Sequence, residues 1–325
     1  MAERLALEKI YEPVQADLNT VEDWLKSVAR VSYLPQANML ERSLHDGGKR
    51  IRPALVLLAG NLYHYNLDTL LPMATAVELL HTATLVHDDA IDKSAVRRGR
   101  PTINATWNDD KAILLGDYLF ATAEEYTART GNVRVIRLCA ETLQIITTGE
   151  LNQAFNAYNL KQTYQDYLQR IAAKTASLLT TTTEAGAILS EAPEESIRAL
   201  KEYGYNIGIA FQIVDDILDF VGTEAELGKP VASDLSQGTL TLPSMFIMER
   251  YPGDNPVRRL FENPALKEEI PRAIDMVKNS SIMDDCYKVA SQYRDKANGV
   301  LHGLPKAVSR ESLGNLADYV VQRRK

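Results

Sequence analysis

The segment HTATLVHDDAID, at residues 81–92, is an apolar run that ends in three aspartates. Residues four apart lie on one face of an α-helix, so Asp88 and Asp92 would project from successive turns, with Asp89 beside them. Three carboxylates at this spacing repel one another unless a cation lies among them. Their hard oxygen ligands suit Mg²⁺, which is usually shared with substrate phosphates. The segment therefore predicts a helix that carries a metal and diphosphate site.

A second segment, FQIVDDILDF at residues 211–220, repeats this arrangement. It combines an apolar helical run with acids at positions i, i+1 and i+4, here Asp215, Asp216 and Asp219. One acidic helix end is usually a solvated surface, but two copies in one chain indicate a shared function. We expect two helices that face each other across one cluster of metal ions.

Two other aspartate pairs act as internal controls. Asp109-Asp110 and Asp284-Asp285 have no acid four residues after their first aspartate. Acids in this position complement the positive end of a helix dipole. We therefore expect both pairs to begin helices and to carry no chemistry.

Three basic segments contain glycine or proline: GGKRIRP at 47–53, RRGRPT at 97–102 and GKPVASDL at 228–235. Glycines allow tight loops whose amides bind phosphate, and guanidinium groups match phosphate oxygens two at a time. A single basic turn is usually only solvated. Because these segments accompany two aspartate motifs, we expect them to bind diphosphate.

Two polar residues lie within apolar helical segments. His81 is seven residues before Asp88 and therefore on nearly the same face. Such a histidine is more often a core residue, but below a diphosphate site a donor to a second phosphate is the better interpretation. Lys174 lies among Ala, Leu and Thr, so it either extends to solvent or faces an anion. The sequence leaves both possibilities for Lys174 open.

The composition excludes several classes of protein. The 325 residues carry a net charge of -7, and no basic stripe is interleaved with aromatic residues, so we expect no nucleic-acid binding. Two cysteines indicate neither a disulfide framework nor a zinc site. No signal peptide and no run of about 20 apolar residues is evident. We expect a cytoplasmic protein without a transmembrane segment, folded as one all-α domain over residues 1–325.

Together with GDYLF at 116–120 and KTASL at 174–178, these motifs resemble those of the trans-polyprenyl diphosphate synthases, in particular the medium- and long-chain heptaprenyl and octaprenyl types. The resemblance runs from about residue 45 to the end of the chain. It implies an isoprenoid synthase-type helical bundle around a central cavity, assembled as a homodimer. It also implies head-to-tail condensation of an allylic diphosphate with isopentenyl diphosphate.

The resemblance further implies a role for each motif residue. Six aspartates would hold three Mg²⁺ ions on the allylic diphosphate: Asp88, Asp89, Asp92, Asp215, Asp216 and Asp219. The same diphosphate would be bound by Arg97, Lys174 and Lys229, aided by Thr175 and Gln212. The diphosphate of isopentenyl diphosphate would be bound by Lys49, Arg52, His81 and Arg98.

One position departs from the family pattern. Many members carry a lysine at the place of Thr239, so either the other cations suffice or the allylic diphosphate binds more weakly. Product length depends in this family on the residue five before the first aspartate, here Ala83. Ala83 and its neighbour Thr84 are both small, so we expect a product of C30–C50, with a C15–C20 farnesyl or geranylgeranyl diphosphate synthase as the alternative.

Two other interpretations are weaker. A class I terpene cyclase also uses one aspartate motif, but its second metal site normally mixes Asn, Ser or Thr with acids, and it has no GGKRxRP segment. A non-catalytic partner subunit of a heteromeric synthase generally loses one aspartate motif, whereas this chain has both.

Overall fold

The computed structural model describes residues 2–44, 48–223 and 230–323. It is 76% helical, which confirms the all-α prediction. A 3-10 turn, Glu12–Val14, joins the first two helices, and a π-helix, Ala172–Ala176, joins α9 to α10. The helices are α1 (Ala2–Tyr11), α2 (Gln15–Val28), α3 (Leu34–Leu44), α4 (Ile51–Gly60), α5 (Leu67–Ile91), α6 (Ile103–Thr106), α7 (Asp109–Arg129), α8 (Val133–Phe155), α9 (Tyr164–Ile171), α10 (Ser177–Leu189), α11 (Glu194–Val221), α12 (Ser233–Ser236), α13 (Leu242–Arg250), α14 (Pro256–Glu262), α15 (Glu269–Lys278), α16 (Ile282–Leu301) and α17 (Val308–Gln322).

A short β-hairpin interrupts the helices at the RRGRPT segment. Strand β1 (Val96–Arg97) pairs antiparallel with β2 (Arg100–Pro101). The two turn residues, Arg98 and Gly99, have φ of 50° and 76°, as a two-residue hairpin turn requires. The glycine and proline of this segment predict a loop after the helix, and in the structure this loop is a tight turn between two short strands. Left-handed backbone at an arginine is unusual, and it could not be read from the sequence.

Both control aspartate pairs begin helices, as predicted. Asp109 and Asp110 lie in the first turn of α7, and Asp284 and Asp285 lie in the first turn of α16. Aspartates are favourable in the first turn of a helix because they complement the helix dipole, so their presence here requires no ligand.

The chain divides into two compact units. Unit 1 contains Met1–Glu141, Leu178–Gly204 and Val300–Leu316, and unit 2 contains Thr142–Ser177, Tyr205–Gly299 and Ala317–Lys325. The divisions fall inside helices, as within α8 and α11, rather than in polar or proline-rich linkers. No composition change marks such a division, and the single domain over residues 1–325 stays a prediction.

Helix α5 is the centre of unit 1. Its first turn is capped by Asn66, whose side chain accepts from the Asp68 amide at 3.0 Å. It packs mainly against α7 and α4, and Gly60 of α4 lies so close to Leu70 that a Cβ there would contact the leucine at 2.7 Å. Side chains are buried on most of its surface, which places the aspartates at its C-terminal end on a rigid support.

Among the described residues, α5 is also the helix whose length and composition would allow it to cross a membrane. Its most apolar window has a mean hydropathy of 1.3, and 72% of that window is buried in the protein. The prediction that no segment approaches this length and composition was therefore wrong. This degree of burial is typical of a helix in the core of a protein.

In unit 2, the π-helix Ala172–Ala176 packs against two glycines. A Cβ at Gly149 of α8 would lie 2.7 Å from Ala173 Cβ, and a Cβ at Gly208 of α11 would lie 2.5 Å from Ala176 Cα. Single-turn π-helices are rare and occur frequently at functional sites. This one carries Lys174, and the two glycines fix its position.

Candidate active site

The first aspartate motif lies at the end of α5, in unit 1. Asp88 is half-buried and Asp92 is exposed, and the Asp92 amide donates to the Asp88 carbonyl at 2.8 Å. Asp89 is only 6% exposed, and both its carboxylate oxygens accept from Arg97 Nε, at 3.0 and 2.9 Å. Burial raises the pKa of Asp89, while the bond and charge of Arg97 oppose that rise. The motif therefore presents two accessible carboxylates and one that an arginine holds.

The pKa of His81 is affected by four nearby arginines. Burial lowers the pKa of His81 well below its ordinary value, and the positive charges of Arg52, Arg98, Arg97 and Arg50 lower it further. The imidazole is therefore neutral at pH 7 and can donate a hydrogen bond without adding charge. A cavity of about 50 Å³ is lined by His81, Arg50, Arg97 and Arg98. The structure thus brings together predicted cations in a positive environment that suits an anion.

The GGKRIRP segment uses one of its cations internally. Arg50 has a φ of 51° and binds Glu22 and Glu78, the latter at 2.6 Å. The Lys49 carbonyl accepts from the Tyr11 hydroxyl at 3.0 Å, which anchors the segment to α1. Arg50 thus neutralises two acids, and the binding of phosphate by Lys49 and Arg52 stays a prediction.

The second aspartate motif lies on α11, in unit 2. The Asp215 side chain is 39% exposed, and its Oδ1 lies 2.7 Å from Arg323 Nη2. Arg323 is buried, donates to the Phe211 carbonyl at 2.6 Å, and places its guanidinium 3.8 Å from the centre of the Phe211 ring. These contacts orient Asp215 through one of its two carboxylate oxygens.

Asp216 lies inside the protein, 2% exposed. The Tyr167 hydroxyl donates to its Oδ2 at 2.8 Å, and Gln212 Nε2 donates to its Oδ1 at 2.9 Å. Burial, and then the negative charge of Asp234, raise the pKa of Asp216 to about 7. Both carboxylate oxygens therefore serve a hydrogen-bond network in this structure, and a role of Asp216 in metal binding stays a prediction.

Asp219 is also buried, at 3% exposure. Ser233 Oγ donates to its Oδ1 at 3.1 Å, and the Asp234 amide donates to its Oδ2 at 3.3 Å. The Asp219 carbonyl accepts from the Ala232 amide at 2.7 Å, and Ala232 has a φ of 55°. The third aspartate of this motif thus holds the segment that follows residue 229.

The π-helix carries the predicted residues Lys174 and Thr175. Lys174 Nζ lies 2.8 Å from Glu150 Oε1, with both side chains partly exposed. Thr175 Oγ1 donates to Gln212 Oε1 at 2.5 Å, so these two candidate residues are in contact. Lys229 lies outside the described residues, as does Gly47.

The donor sets fit a hard divalent cation in part. Asp88, Asp92 and Asp215 offer accessible oxygen ligands without sulfur or imidazole, which suits Mg²⁺. Within residues 2–44, 48–223 and 230–323, no group of three or more His, Cys, Asp or Glu side chains is arranged to hold a metal ion. The three Mg²⁺ ions therefore stay a prediction.

The chain-length candidates differ in exposure. Ala83 is fully buried in α5, whereas Thr84 is half-buried and donates through Oγ1 to the His81 carbonyl at 2.7 Å. Thr84 thus lies one helical turn before Asp88 on the same helix.

Sequence reasoning missed Tyr167, Glu150 and Arg323. Tyr167 precedes Lys174 by seven residues, the spacing that also separates His81 from Asp88, so helical register could have drawn attention to it. Glu150 follows a glycine within α8, which is a weak signal. Arg323 belongs to a basic C-terminal run that looks like a solvated tail, and no sequence pattern indicated its burial.

Comparisons with known proteins identify the family of this chain. The family model for polyprenyl synthetase matches residues 36–277. Heptaprenyl diphosphate synthase component 2 of Geobacillus stearothermophilus is 38% identical over 98% of this chain and 99% of its own length. The crystal structure of heptaprenyl diphosphate synthase from Staphylococcus aureus is 36% identical with a TM-score of 0.91, covering 96% of this chain and 99% of that chain.

A third relative was solved with ligands. The polyprenyl synthase of Caulobacter crescentus CB15, in complex with calcium and isoprenyl diphosphate, is 32% identical with a TM-score of 0.94, covering 98% of both chains. These matches identify the isoprenoid synthase helical fold. The chain belongs to the polyprenyl synthetase family and is a chain-elongating prenyltransferase.

Proposed function

We propose that this chain condenses an allylic diphosphate with isopentenyl diphosphate, head to tail and with Mg²⁺, to make a trans-polyprenyl diphosphate of C30–C50. The observation that carries the proposal is the presence of two aspartate motifs together with a cluster of arginines around His81. Two diphosphates must be bound, and only the allylic one has to ionise. A terpene cyclase would need no second site for diphosphate.

The acidic and the basic residues have different proposed roles. When bound, Mg²⁺ would neutralise the departing diphosphate and so lower the barrier to ionisation. Asp88, Asp92 and Asp215 would hold the ions, and Lys174 would bind the same diphosphate. The allylic C–O bond breaks, the isopentenyl double bond attacks the allylic carbon, and a proton leaves to the departing diphosphate.

Isopentenyl diphosphate must be bound without breaking its bond to the diphosphate. Neutral His81 and the guanidinium groups of Arg52 and Arg98 can supply hydrogen bonds and positive charge there. In this assignment Arg97 serves two roles, because it holds Asp89 and also lines the cavity beside His81.

Product length is proposed from the small residues before the first motif and from the relatives. Ala83 and Thr84 offer no aromatic ring to stop a growing tail. Two of the relatives are heptaprenyl diphosphate synthases. Incubation of the purified chain with farnesyl diphosphate, labelled isopentenyl diphosphate and Mg²⁺, followed by chromatography, tests this. A main product of C20 or shorter would overturn the proposed length.

We also propose that the chain works as a homodimer in the cytoplasm. Helix α7 exposes two large apolar side chains, Ile113 at 44% and Leu114 at 67%, which a subunit contact would cover. The relative named component 2 raises the alternative of a second, different subunit. Light scattering on the purified chain distinguishes them: an active dimer of this chain alone supports the homodimer, and an inactive chain that requires another protein overturns it.

A divalent-metal requirement is the simplest test of the metal proposal. Chelation with EDTA should abolish turnover, and Mg²⁺ should restore it. Asp215→Ala should lower turnover by at least about 10²-fold, the scale of losing one electrostatic stabiliser. Undiminished turnover after exhaustive chelation would contradict the assignment of the aspartates.

A further inference from the structure

One hydrogen-bond chain in unit 2 ends in a residue for which the mechanism has no role. Tyr167 of α9 is fully buried, and its hydroxyl donates to Asp216 Oδ2 at 2.8 Å. Gln212 Nε2 donates to the other oxygen of Asp216 at 2.9 Å, and Thr175 Oγ1 donates to Gln212 Oε1 at 2.5 Å. Every donor in the chain points toward Asp216, so the four side chains form one directed network.

The network determines which way the Gln212 amide faces. A glutamine amide has one acceptor oxygen and two N–H groups. Here the oxygen faces Thr175, and one N–H faces Asp216. The second N–H is used by neither bond. Because Gln212 is only partly buried, this hydrogen is the one that the side chain can offer to a ligand.

The Tyr167 hydroxyl is what keeps Asp216 in place. A carboxylate on one helix can rotate about χ2 unless both oxygens are held. Tyr167, on a different helix, donates the hydrogen bond to the second oxygen. The guanidinium carbon of Arg170 lies 5.5 Å from the centre of the Tyr167 ring. Arg170 is itself buried and donates to the Leu240 carbonyl at 2.6 Å. The hydroxyl therefore has little freedom to move.

From these contacts we infer that Tyr167 is a positioning residue for the allylic diphosphate: through Asp216 it fixes the Gln212 amide so that its second N–H points to the ligand. This rests on the proposed function of the Lys174 end of the site. Tyr167 touches no substrate. Its contribution is the orientation of one neutral donor beside the charged Lys174.

The test is Tyr167→Phe, which removes only the hydroxyl. We expect the KM for the allylic diphosphate and the Kd for farnesyl S-thiolodiphosphate with Mg²⁺, measured by calorimetry, to rise about tenfold, the value of one hydrogen bond to a charged group. The KM for isopentenyl diphosphate should stay within twofold. Tyr164→Phe on the same helix is the matched control, because the structure describes no hydrogen bond of the Tyr164 hydroxyl, and it should change none of these constants.

A double-mutant cycle separates positioning from general damage. In a Gln212→Met background the amide is absent, so Tyr167→Phe should leave the Kd of the thiolo analogue unchanged while still lowering thermal stability. An equal rise in both backgrounds, or no rise in the wild-type background, overturns the inference. An inactive wild-type enzyme would instead overturn the proposed function.

If Tyr167→Phe does not fold, Asp216→Asn gives the same cycle. The substituted amide can accept from Tyr167 through its oxygen and must then offer its N–H₂ to Gln212, which reverses the Gln212 amide. The expected rise in Kd should vanish in the Gln212→Met background. A loss of metal binding would persist in that background, and that result overturns the inference.

Discussion

Gly208→Ala tests whether the π-helix must be held where the structure places it. The new Cβ would lie 2.5 Å from Ala176 Cα and 2.7 Å from Ala176 Cβ. Carbon atoms are normally about 3.5–4.0 Å apart, so the two backbones would have to separate by about 1 Å. Both contacting atoms belong to the backbone or are attached directly to it, so no side-chain rotation can relieve the clash.

Two effects of this substitution oppose each other. Alanine in place of glycine within a helix stabilises by about 1 kcal/mol, whereas overpacking a rigid contact costs about 1–3 kcal/mol, and backbone contacts lie at the upper end. We expect the free energy of unfolding to fall by at least about 1 kcal/mol. Gly299→Ala is the control, since it lies in α16 with no heavy atom within 4 Å of the new Cβ, and it should gain up to about 1 kcal/mol.

Urea denaturation of both variants measures these changes, with equal m-values as the condition for comparison. Activity gives a second readout, because a displacement of about 1 Å can cost about 10²-fold when it moves a substrate-binding residue. Since Lys174 and Thr175 lie on the π-helix, kcat/KM for the allylic substrate should fall by that factor, and the KM for isopentenyl diphosphate should not change. A Gly208→Ala enzyme as stable and active as Gly299→Ala would refute the tight contact.

Four further outcomes are expected. Asp88→Ala should lower turnover by at least about 10²-fold, while Asp285→Ala, at a helix start, should stay near wild type in the same assay; equal losses would mean fold damage. Thr239→Lys should leave both KM values unchanged if the other cations suffice, and a lower allylic KM alone would show a weakened site. Ala83→Phe should shorten the main product on chromatography, and an unchanged product with activity retained would place the end of the tail elsewhere. Because the folded pKa of His81 is depressed below its unfolded value, wild-type stability should fall relative to His81→Gln as pH drops below about 6.5, and parallel urea midpoints from pH 7 to 5 would contradict it.

Helix positions and ends could be predicted because the signals are local. Apolar spacing over residues 67–91 accounts for α5, and the acids at residue 109 and at residues 284–285 follow helix starts. The arginine-bearing hairpin could not be predicted in the same way. Its turn needs positive φ at two successive residues, and only Gly99 carries that signal, since Arg98 adopts it against its own preference.

The cation roles show a second limit. GGKRIRP presents three cations in four residues, and nothing in their order indicates that Arg50 pairs with two glutamates. Arg50 is paired because Glu22 and Glu78, from distant helices, reach it. Conversely, Arg323 stands in a basic run with no sequence signal of burial, yet it is buried against Phe211. Long-range pairing decides which charges stay available to a ligand, and local sequence does not encode it.

The two aspartate motifs have identical spacing but different environments. Spacing alone predicts that the first and third acids share an accessible face, and Asp88 and Asp92 do so. In the second motif Asp215 is accessible, but Asp219 is covered, since the Ser233 hydroxyl and the backbone amide after it donate to its oxygens. Helical periodicity gives the direction of a side chain from its own axis, whereas the number of carboxylates left for a cation depends on which other segment covers that direction.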